Sequence, residues 1–191
     1  MPAPNHKIII LTAPSGAGKT SITHYLLNKY PQLSFSISAA TREPRGKEKQ
    51  AIDYYFMSIG EFREKIQENA FVEWEMVYDG KYYGTLHTEL ERIWKENRVP
   101  VLDIDVKGAI HVQQQFGDNC LSIFIEPPSL EELKKRLESR GTETPDSLLT
   151  RINKASYEIS FNHHFKKTIV NADLAKACAE TEAVIKDFLG W

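Results

Sequence analysis

The amino-acid sequence predicts an α/β domain: a P-loop core whose parallel sheet is flanked by helices, with smaller units added to it. Apolar, strand-like segments alternate with helical segments along the chain, which is typical of a parallel sheet. The apolar segment at residues 8–11 runs directly into a glycine-rich loop, and another at residues 99–105 ends in two acids. Because ligands of such sheets bind at the carboxyl ends of the strands, we expect both features at one site.

The first half of the chain begins with a strand at residues 7–12, since the run Ile-Ile-Ile-Leu suits a strand that is buried on both faces. Helix-compatible residues follow the loop and predict a helix over residues 19–29. Residues 33–84 differ in character, because they combine short strand-like pieces with one helix. Ser58 and Glu61 have the spacing of a capping box and mark the start of that helix. The strand-like pieces lie at residues 35–37, 53–56 and 71–78.

The second half continues the alternation of helices and strands. Ser129 with Glu132 predicts a capped, charged helix that runs to about residue 140, and Pro145 opens the next helix. The predicted helices cover about residues 88–96, 106–116, 130–140 and 145–162, with a closing helix from about residue 180, and the predicted strands cover 99–105, 120–125 and 168–170.

The composition is that of a globular protein with one domain of ordinary size. The chain has 191 residues, of which 41% are hydrophobic and 26% charged, and its formal net charge is -2. This balance gives no sign of bulk nucleic-acid or anionic-membrane binding. Cys120 and Cys178 are too few for a disulfide scaffold, and the sequence contains no secretory leader or membrane-spanning run. We therefore expect a cytoplasmic protein, monomeric or homodimeric, that binds neither nucleic acid nor membrane.

Residues 13–20 read APSGAGKT and form a candidate phosphate-binding loop, called the phosphate loop below. Small residues let successive backbone N–H groups surround a phosphate, and the helix that follows adds its positive N-terminus. Lys19 can reach the outer phosphates, and the Thr20 hydroxyl can ligate the magnesium ion that accompanies them. The residues predicted to bind the nucleotide are Ala13, Pro14, Ser15, Gly16, Ala17, Gly18, Lys19 and Thr20.

Ala13 stands where the phosphate-loop pattern has its first glycine. Alanine resists a positive φ but fits extended backbone, so the loop can form if position 13 is the end of a strand. We expect that conformation at Ala13.

Asp103 and Asp105 end a buried strand and lie two residues apart, so they are predicted to point the same way. In enzymes with a phosphate loop, an acid at the end of an apolar strand holds the magnesium ion or its waters. The alternative is a pair of solvated strand-end acids. We expect at least one to face the site, and the sequence leaves open which would serve the metal's waters and which the substrate.

Residues 34–85 carry a concentrated set of polar side chains that suits an anionic ligand. Arg42 and Arg45 flank Pro44, which stiffens their loop, and guanidinium forks bind phosphate oxygens in pairs. Tyrosine hydroxyls can donate to the same anion, so two arginines and two tyrosines would form a monophosphate clamp. Taken alone, the loop is more often a solvated basic surface, because Lys47 and Lys49 follow closely.

Arg136 and Arg140 lie four residues apart on a predicted helix and so share one face. Arg151 lies on the next predicted helix, and the Gly141-Thr142 pair between them can act as a hinge. The alternative is a solvated charged helix, in which neighbouring glutamates pair with the arginines.

Seven blocks in sequence order closely resemble the guanylate kinase family and span nearly the whole chain, from about residue 7 to the final helix. The blocks are APSGAGKT, SISAATREPRGKE, DYYF, FVEWEMV, YYGT, VLDIDVKG and RLESRGTET. Each block alone is weak evidence of membership, whereas the seven blocks in this order are specific for the family. The resemblance implies an α/β core at about residues 5–33, 86–127 and 165–191, a small mixed α/β GMP-binding insertion at about 34–85 and a helical lid at about 128–164.

The resemblance also implies roles for the polar residues of the insertion. The base of GMP would be read by Ser38, Glu73 and Thr85. A carboxylate such as Glu73 can accept hydrogen bonds from both N1–H and the exocyclic amine of guanine, a donor pair that adenine lacks. A site built on such bonds can reject the wrong base by about 10⁴-fold or more. The GMP phosphate would be held by Arg42, Arg45, Tyr54 and Tyr83, and Asp103 and Asp105 would complete the acceptor site or the metal's water shell.

The remaining implied roles concern the donor nucleotide and the transition state. The matching lid arginines, Arg136 and Arg140 with Arg151, would swing over the phosphates, where an inserted arginine contributes about 10³–10⁵ in rate. Lys19 would act with them as a catalytic residue. Asn171 matches a family position near the donor adenine, and Lys107 stands where the family often has glutamine.

The sequence therefore predicts an ATP:GMP phosphotransferase that forms GDP by in-line transfer from ATP–Mg²⁺, with GMP and also dGMP as acceptors. One alternative is a catalytically silent guanylate-kinase-like module that binds protein partners, which would be expected to lack an intact phosphate loop. The other is a related P-loop kinase with a different phosphorylated acceptor, such as a ribose phosphate, which would not need the three base-reading residues together.

Overall fold

The computed structural model describes residues 6–78, 80–139 and 144–191. Within these ranges the strands are β1 Ile8–Thr12, β2 Leu33–Phe35, β3 Ala39–Ala40, β4 Tyr55–Phe56, β5 Phe71–Tyr78, β6 Lys81–Leu86, β7 Val99–Asp103, β8 Cys120–Glu126 and β9 Lys167–Val170. The α-helices are α1 Lys19–Lys29, α2 Ile59–Gln67, α3 His87–Lys95, α4 Val106–Phe116, α5 Leu130–Glu138, α6 Pro145–Ile159 and α7 Leu174–Leu189. Short 3₁₀ helices lie at Gly117–Asn119 and Asn162–His164.

Five strands form a parallel sheet in the order β2-β7-β1-β8-β9. β1 lies at its centre, paired in parallel with β7 on one side and β8 on the other. Leu11 is opposite Asp103, so the phosphate loop that follows β1 and the acids at the end of β7 leave the sheet at the same edge. The predicted α/β fold with a parallel sheet is confirmed.

The core lies on both faces of this sheet, and β1 supplies side chains to each. Ile9 and Leu11 pack into a cluster with α1 and α7, while Ile8 and Ile10 pack into a second cluster with α3 and α4. All four side chains are fully buried. Burying one such side chain contributes about 1.5–3 kcal/mol, so β1 is a firmly held base for the loop at its carboxyl end.

A second sheet has the order β4-β3-β6-β5, with β5 and β6 antiparallel. Helix α2 packs on it through Phe62, whose ring stacks on that of Phe71 at a centroid distance of 4.3 Å. The predicted capping box of α2 is confirmed: the Glu61 N–H donates to Ser58 Oγ, and the Ser58 N–H donates to the Glu61 carboxylate.

The buried carboxylate of Glu89 on α3 joins the two sheets. It accepts hydrogen bonds from the Ile37 N–H at 2.9 Å and from the Tyr55 hydroxyl at 2.8 Å. Arg92 adds a two-pronged ion pair from the same helix. The segment between β2 and β3 is thereby fixed to α3, which sets the position of the second sheet beside the first.

Helices α5 and α6 pack on each other through Leu133, Leu137 and Ala155. The predicted cap of α5 is confirmed, since Ser129 Oγ accepts from the Glu132 N–H. α5 ends at Glu138 with Ser139 as its C-cap, whereas residue 140 and the proposed hinge at Gly141 and Thr142 lie outside the described residues.

Several predicted boundaries were wrong at strand and helix ends. The strand predicted to reach Asp105 ends at Asp103, because Asp105 instead caps α4 by accepting from the Lys107 and Gly108 N–H groups. The closing helix begins at Leu174 rather than near residue 180, since Asp173 caps it by accepting from the Lys176 N–H. The strand predicted at 35–37 is replaced by β2 and β3, with Ile37 bonded to Glu89 between them.

None of the helices within the described ranges is both long and apolar enough to cross a bilayer.

Candidate active site

The phosphate loop joins β1 to α1 and depends on two glycines with left-handed backbone. Gly16 has φ +95° and Gly18 φ +96°, a region that residues with a Cβ rarely adopt. Gly18 is also the N-cap of α1 and has no side chain to satisfy the first N–H groups of the helix. Those donors and the positive end of the helix together suit a phosphate group.

Ala13 keeps a conformation that alanine adopts without strain. The non-glycine residues with positive φ in the described ranges are Ala51, Asn69 and Asn97, so Ala13 does not need the freedom of glycine. It directly follows β1 and packs against the core beneath the sheet. The φ of position 13 is not positive, so the loop tolerates alanine there.

Asn171 holds the phosphate loop from behind. Its buried side-chain amide donates to the Ala17 carbonyl at 2.7 Å, and its own N–H donates to the Glu126 carbonyl at 2.8 Å. A Cβ added to Gly18 would overlap the same Asn171 amide, so glycine is required there for space as well as for φ. The structure thus places Asn171, predicted to lie near the donor base, against the backbone of the loop.

The charged groups above the sheet edge include an ion pair between Lys19 and Asp103. Thr20 follows Lys19 in the first turn of α1 and is exposed. Asp105 uses Oδ1 to cap α4, with hydrogen bonds of 2.8 and 3.0 Å from backbone N–H groups, and still lines the same cavity. Both predicted acids therefore reach the site, although from a strand end and a helix cap respectively.

Glu73 presents a buried carboxylate from β5. The Thr85 hydroxyl on the neighbouring strand β6 donates to Glu73 Oε1 at 2.7 Å. The pKa of Glu73 is raised to about 7, chiefly because the carboxyl is buried; the bond from Thr85 lowers the pKa in part, and the nearby Asp105 adds to the rise. Such a carboxylate is poised for a ligand with N–H donors, which would compensate for its lost hydration.

Arg42 is almost completely buried beside an aromatic pair. Its guanidinium lies 4.7 Å from the centroid of the Tyr54 ring and 5.5 Å from that of Phe56. The Tyr54 and Tyr83 rings meet edge to face at a centroid distance of 6.2 Å. Burial raises the pKa of Tyr54, so this hydroxyl stays protonated and remains a hydrogen-bond donor. The four predicted phosphate-clamp residues thus lie in one region, with Arg45 exposed on the same loop.

These features surround one cavity of about 640 Å³, which is within the usual size range of small-molecule sites. The phosphate loop, Asp103, Asp105 and residues of the second sheet all line this cavity, and Lys19 of the loop pairs with Asp103. The predicted residues that the structure describes but that do not line the cavity are Ala17, Arg42, Thr85, Arg136 and Asn171. The lining residues from the second sheet and its loops include Ser38, Arg45, Tyr54, Glu73 and Tyr83.

The predicted lid arginines occupy different positions. Arg151 Nη1 on α6 donates to Ser15 Oγ in the phosphate loop at 2.7 Å, so α6 reaches over the cavity. Arg136 on α5 instead donates to the Asn171 carbonyl at 3.0 Å and pairs with Glu132 at 3.4 Å. Arg140 lies outside the described residues, and its role stays a prediction.

Sequence reasoning missed several charged residues of the site. Lys154 and Glu158 on α6 line the cavity together with Arg151, and Lys81 lines it from β6. The signal for the first two was their helical spacing from Arg151, which places all three on one face. Burial raises the pKa of Glu158, while nearby Lys154 and Lys19 counteract this shift. Sequence reasoning also missed Glu48, which contacts the predicted clamp residues. The one sequence feature that could have pointed to it is its position three residues after Arg45.

The chain is similar to known proteins over almost its whole length. The family model described as guanylate kinase matches residues 5–188. A protein named guanylate kinase from Bacteroides thetaiotaomicron is 48% identical over 183 residues, covering 96% of this chain and 90% of the relative. Another of that name from Porphyromonas gingivalis is 46% identical over 184 residues, covering 96% and 98%. The crystal structure of guanylate kinase from Anaplasma phagocytophilum superposes with a TM-score of 0.76 at 28% identity, covering 95% of this chain and 85% of that one.

Proposed function

The chain belongs to the guanylate kinase family, and from this premise we propose that it transfers the γ-phosphoryl group of ATP to GMP, forming ADP and GDP. The observation that carries the proposal is the shared cavity, which is lined both by the phosphate loop and by the buried Glu73 carboxylate. A triphosphate complements the phosphate loop, and a base with adjacent N–H donors complements the carboxylate. The chain is accordingly divided into a core, a GMP-binding insertion at about residues 34–85 and a lid at about 128–164.

Recognition of guanine rests on Glu73. Its two carboxylate oxygens can accept from N1–H and from the exocyclic amine, and the Thr85 hydroxyl, bonded to Oε1, holds the carboxylate in orientation. Ser38 lines the cavity and can serve the other polar atoms of the base. Adenine has no such donor pair, so it would leave the buried carboxylate poorly satisfied.

The phosphate of GMP is assigned to Arg42, Arg45, Tyr54 and Tyr83. Arg45 and both tyrosines line the cavity, and Arg42 stacks on Tyr54 behind them. Together they offer two positive charges and two hydroxyl donors to a dianion. Asp103 and Asp105 lie between this clamp and the phosphate loop, where they complete the acceptor site or hold the waters of a metal ion.

The donor ATP is assigned to the phosphate loop, with Lys19 on the outer phosphates. The residues around it fit Mg²⁺, because the exposed Thr20 hydroxyl and the Asp103 and Asp105 carboxylates are hard oxygen donors and few protein ligands are needed beside phosphate and water. When bound, the ion neutralises charge on the transferring phosphates. Asn171 fixes the loop backbone that carries these groups.

Transfer itself needs positioning and charge neutralisation rather than a strong base, since the phosphate of GMP is already anionic at neutral pH. Lys19 and Arg151 lie at the phosphate-loop end of the cavity and supply positive charge there. Arg136 and Arg140 are proposed to join them when the lid moves. Closure also excludes water, which would otherwise hydrolyse ATP.

We further propose that dGMP is an acceptor, that the protein works in the cytoplasm and that it is a monomer or a homodimer.

The proposal is tested by measuring ADP release from ATP–Mg²⁺ with GMP, dGMP, AMP, CMP, UMP or ribose 5-phosphate as acceptor. Turnover confined to GMP and dGMP supports it. Turnover with ribose 5-phosphate alone would favour a kinase with another acceptor, and release with none of them would favour a silent binding module.

A further inference from the structure

Both carboxylate oxygens of Glu48 accept hydrogen bonds from the buried guanidinium of Arg42. Arg42 Nη1 donates to Oε2 at 2.5 Å and Arg42 Nη2 donates to Oε1 at 2.8 Å. The two parallel bonds fix the plane of the guanidinium as well as its position. Arg42 Nη1 also donates to the Glu43 main-chain carbonyl at 3.0 Å, which anchors the same end of the side chain.

The same carboxylate shapes the loop that carries Arg45. The Arg45 N–H donates to Glu48 Oε2 at 2.7 Å, and the Glu48 N–H returns a bond to the Arg45 carbonyl at 3.1 Å. Gly46, with φ +57°, turns the chain between them. One side chain therefore links the two arginines: it holds Arg42 by the guanidinium and Arg45 by the backbone.

Arg42 does not itself line the cavity, but it contacts a residue that does. One face of the guanidinium lies over Tyr54, whose side chain lines the cavity. Arg42 Nε is buried and has no hydrogen-bond partner within the described part of the chain. A buried donor in this state is costly, and an anion that reached Nε would relieve that cost.

A carboxylate on two arginines could also act as a competitor that occupies the phosphate position. The placement of Glu48 argues against this role, because Arg45, Tyr54 and Tyr83 line the cavity whereas Glu48 lies outside the lining that the described residues form. The hydrogen bonds from Arg42, followed by that from Arg45, lower the pKa of Glu48 to about 2, so it remains ionised at neutral pH. A permanently charged group behind the clamp can hold the arginines without taking the place of the ligand.

The geometry points to Glu48 as a positioning residue for the acceptor phosphate: it fixes Arg42 and the Arg45 loop so that their donors converge on the phosphate of GMP. This inference deepens the proposed function and rests on it. Glu48 touches neither substrate in this account and acts only through the two arginines.

The test compares the binding of GMP with that of guanosine, which has the base but no phosphate. Calorimetric titrations are made with the wild type and Glu48→Gln, in which the amide NH₂ must face an arginine donor. We expect the dissociation constant for GMP to rise about tenfold or more and that for guanosine to stay within about twofold. Glu43→Gln is the matched control, since it removes one exposed charge from the same loop and keeps the carbonyl that Arg42 uses.

Each outcome bears on the inference. If Glu48→Gln binds GMP as well as the wild type or more tightly, positioning is wrong and competition is favoured. If GMP and guanosine lose affinity equally, Glu48 only maintains the fold. Should Glu48→Gln fail to fold, Glu48→Asp takes its place, because it keeps the charge but is too short to span both guanidinium nitrogens and the Arg45 N–H. A wild type that binds no GMP would instead overturn the proposed function.

Discussion

Gly108 in the first turn of α4 lies against the carboxylate of Glu73. A Cβ built on Gly108 would be 2.7 Å from Glu73 Oε2, closer than real Cβ contacts, and 3.3 Å from Cδ, which is tighter than most. The absence of a side chain at position 108 is therefore part of the architecture around the carboxylate that we propose reads guanine. It lets the start of α4, capped by Asp105, approach the carboxylate directly.

Gly108→Ala tests this close approach. The new methyl group displaces Glu73, so we expect kcat/KM for GMP to fall about tenfold or more, while KM for ATP stays within about twofold. Gly60→Ala is the matched control, because Gly60 is also helical and a Cβ there would have its nearest neighbour 3.8 Å away at Ser58 Oγ. Unchanged steady-state kinetics with GMP in Gly108→Ala would show that the displacement of Glu73 has no consequence.

Asn171→Ala tests the support behind the phosphate loop. Loss of the buried bond to Ala17 is expected to lower the free energy of unfolding by about 1–3 kcal/mol and to raise KM for the donor nucleotide. Because the amide contacts loop backbone, ATP and GTP used as donors should be affected equally. Denaturant unfolding and steady-state kinetics measure both effects, with the exposed Asn28→Ala on α1 as control. A loss confined to ATP would instead indicate that Asn171 reads the adenine.

The pH dependence of guanosine binding reports on Glu73. Its pKa is raised from 4.5 to about 7 in the folded protein, and under the proposed assignment guanine binds the ionised form. Binding should therefore strengthen as pH rises towards about 7 and release a proton, with up to about a tenfold change per pH unit below that pKa. Asp105 and Glu75 also face this group and contribute to the shift. Calorimetry in buffers of different ionisation enthalpy measures the proton, and no release near pH 6 would contradict the assignment.

The raised pKa of Glu73 has the opposite effect on the stability of the protein, which it lowers as pH rises. The folded state holds the Glu73 proton up to about pH 7, whereas the unfolded chain loses it near pH 4.5. The folded state thus binds more protons in this interval, and the contribution of Glu73 to the free energy of unfolding falls as pH rises through it. Glu73→Gln should remove that part of the slope in urea unfolding measured across the interval.

Arg151→Ala tests the role of α6 in turnover. Arg151 reaches the phosphate loop through Ser15, and a charge that acts mainly in the transition state changes kcat more than KM. We expect kcat to fall by up to about 10³-fold with smaller changes in KM, and the same pattern, if weaker, for Arg136→Ala. Arg63→Ala, an exposed arginine on α2, is the control. A variant with raised KM and intact kcat would show that its arginine serves ground-state binding.

Sequence alone predicts the parts of the site that are local in the chain. The phosphate loop is readable because Gly16, Gly18 and Lys19 act through the backbone and helix that they themselves begin. The capping boxes and caps at Ser58 and Ser129 are local in the same sense. The proposed role of Glu73 in reading the base came from family resemblance, and the structure supplied the burial of its carboxylate and the close approach of Gly108.

Other features could not be predicted because they depend on contacts between distant segments or on competing local interactions. Asn171 meets Ala17 across 154 positions of sequence, so a strand-end asparagine gave no sign of its partner. The sequence allowed Asp105 to continue the strand, but its side chain instead accepts hydrogen bonds from two N–H groups of α4 and caps that helix. In the sequence, Glu48 is one of several charged residues in a polar loop, and only the folded structure shows its hydrogen bonds with Arg42.

The most direct measurement of the central claim is kcat/KM for GMP, IMP and AMP in the wild type and Glu73→Gln, with the exposed Glu64→Gln on α2 as control. IMP keeps N1–H but lacks the exocyclic amine. We expect kcat/KM of the wild type to be about 10⁴-fold higher for GMP than for AMP. Glu73→Gln should lower kcat/KM for GMP by about 10²-fold or more and should reduce the ratio of kcat/KM for GMP to that for IMP. KM for ATP should stay unchanged. A variant that retains both its efficiency with GMP and its discrimination would contradict the claim that Glu73 reads guanine.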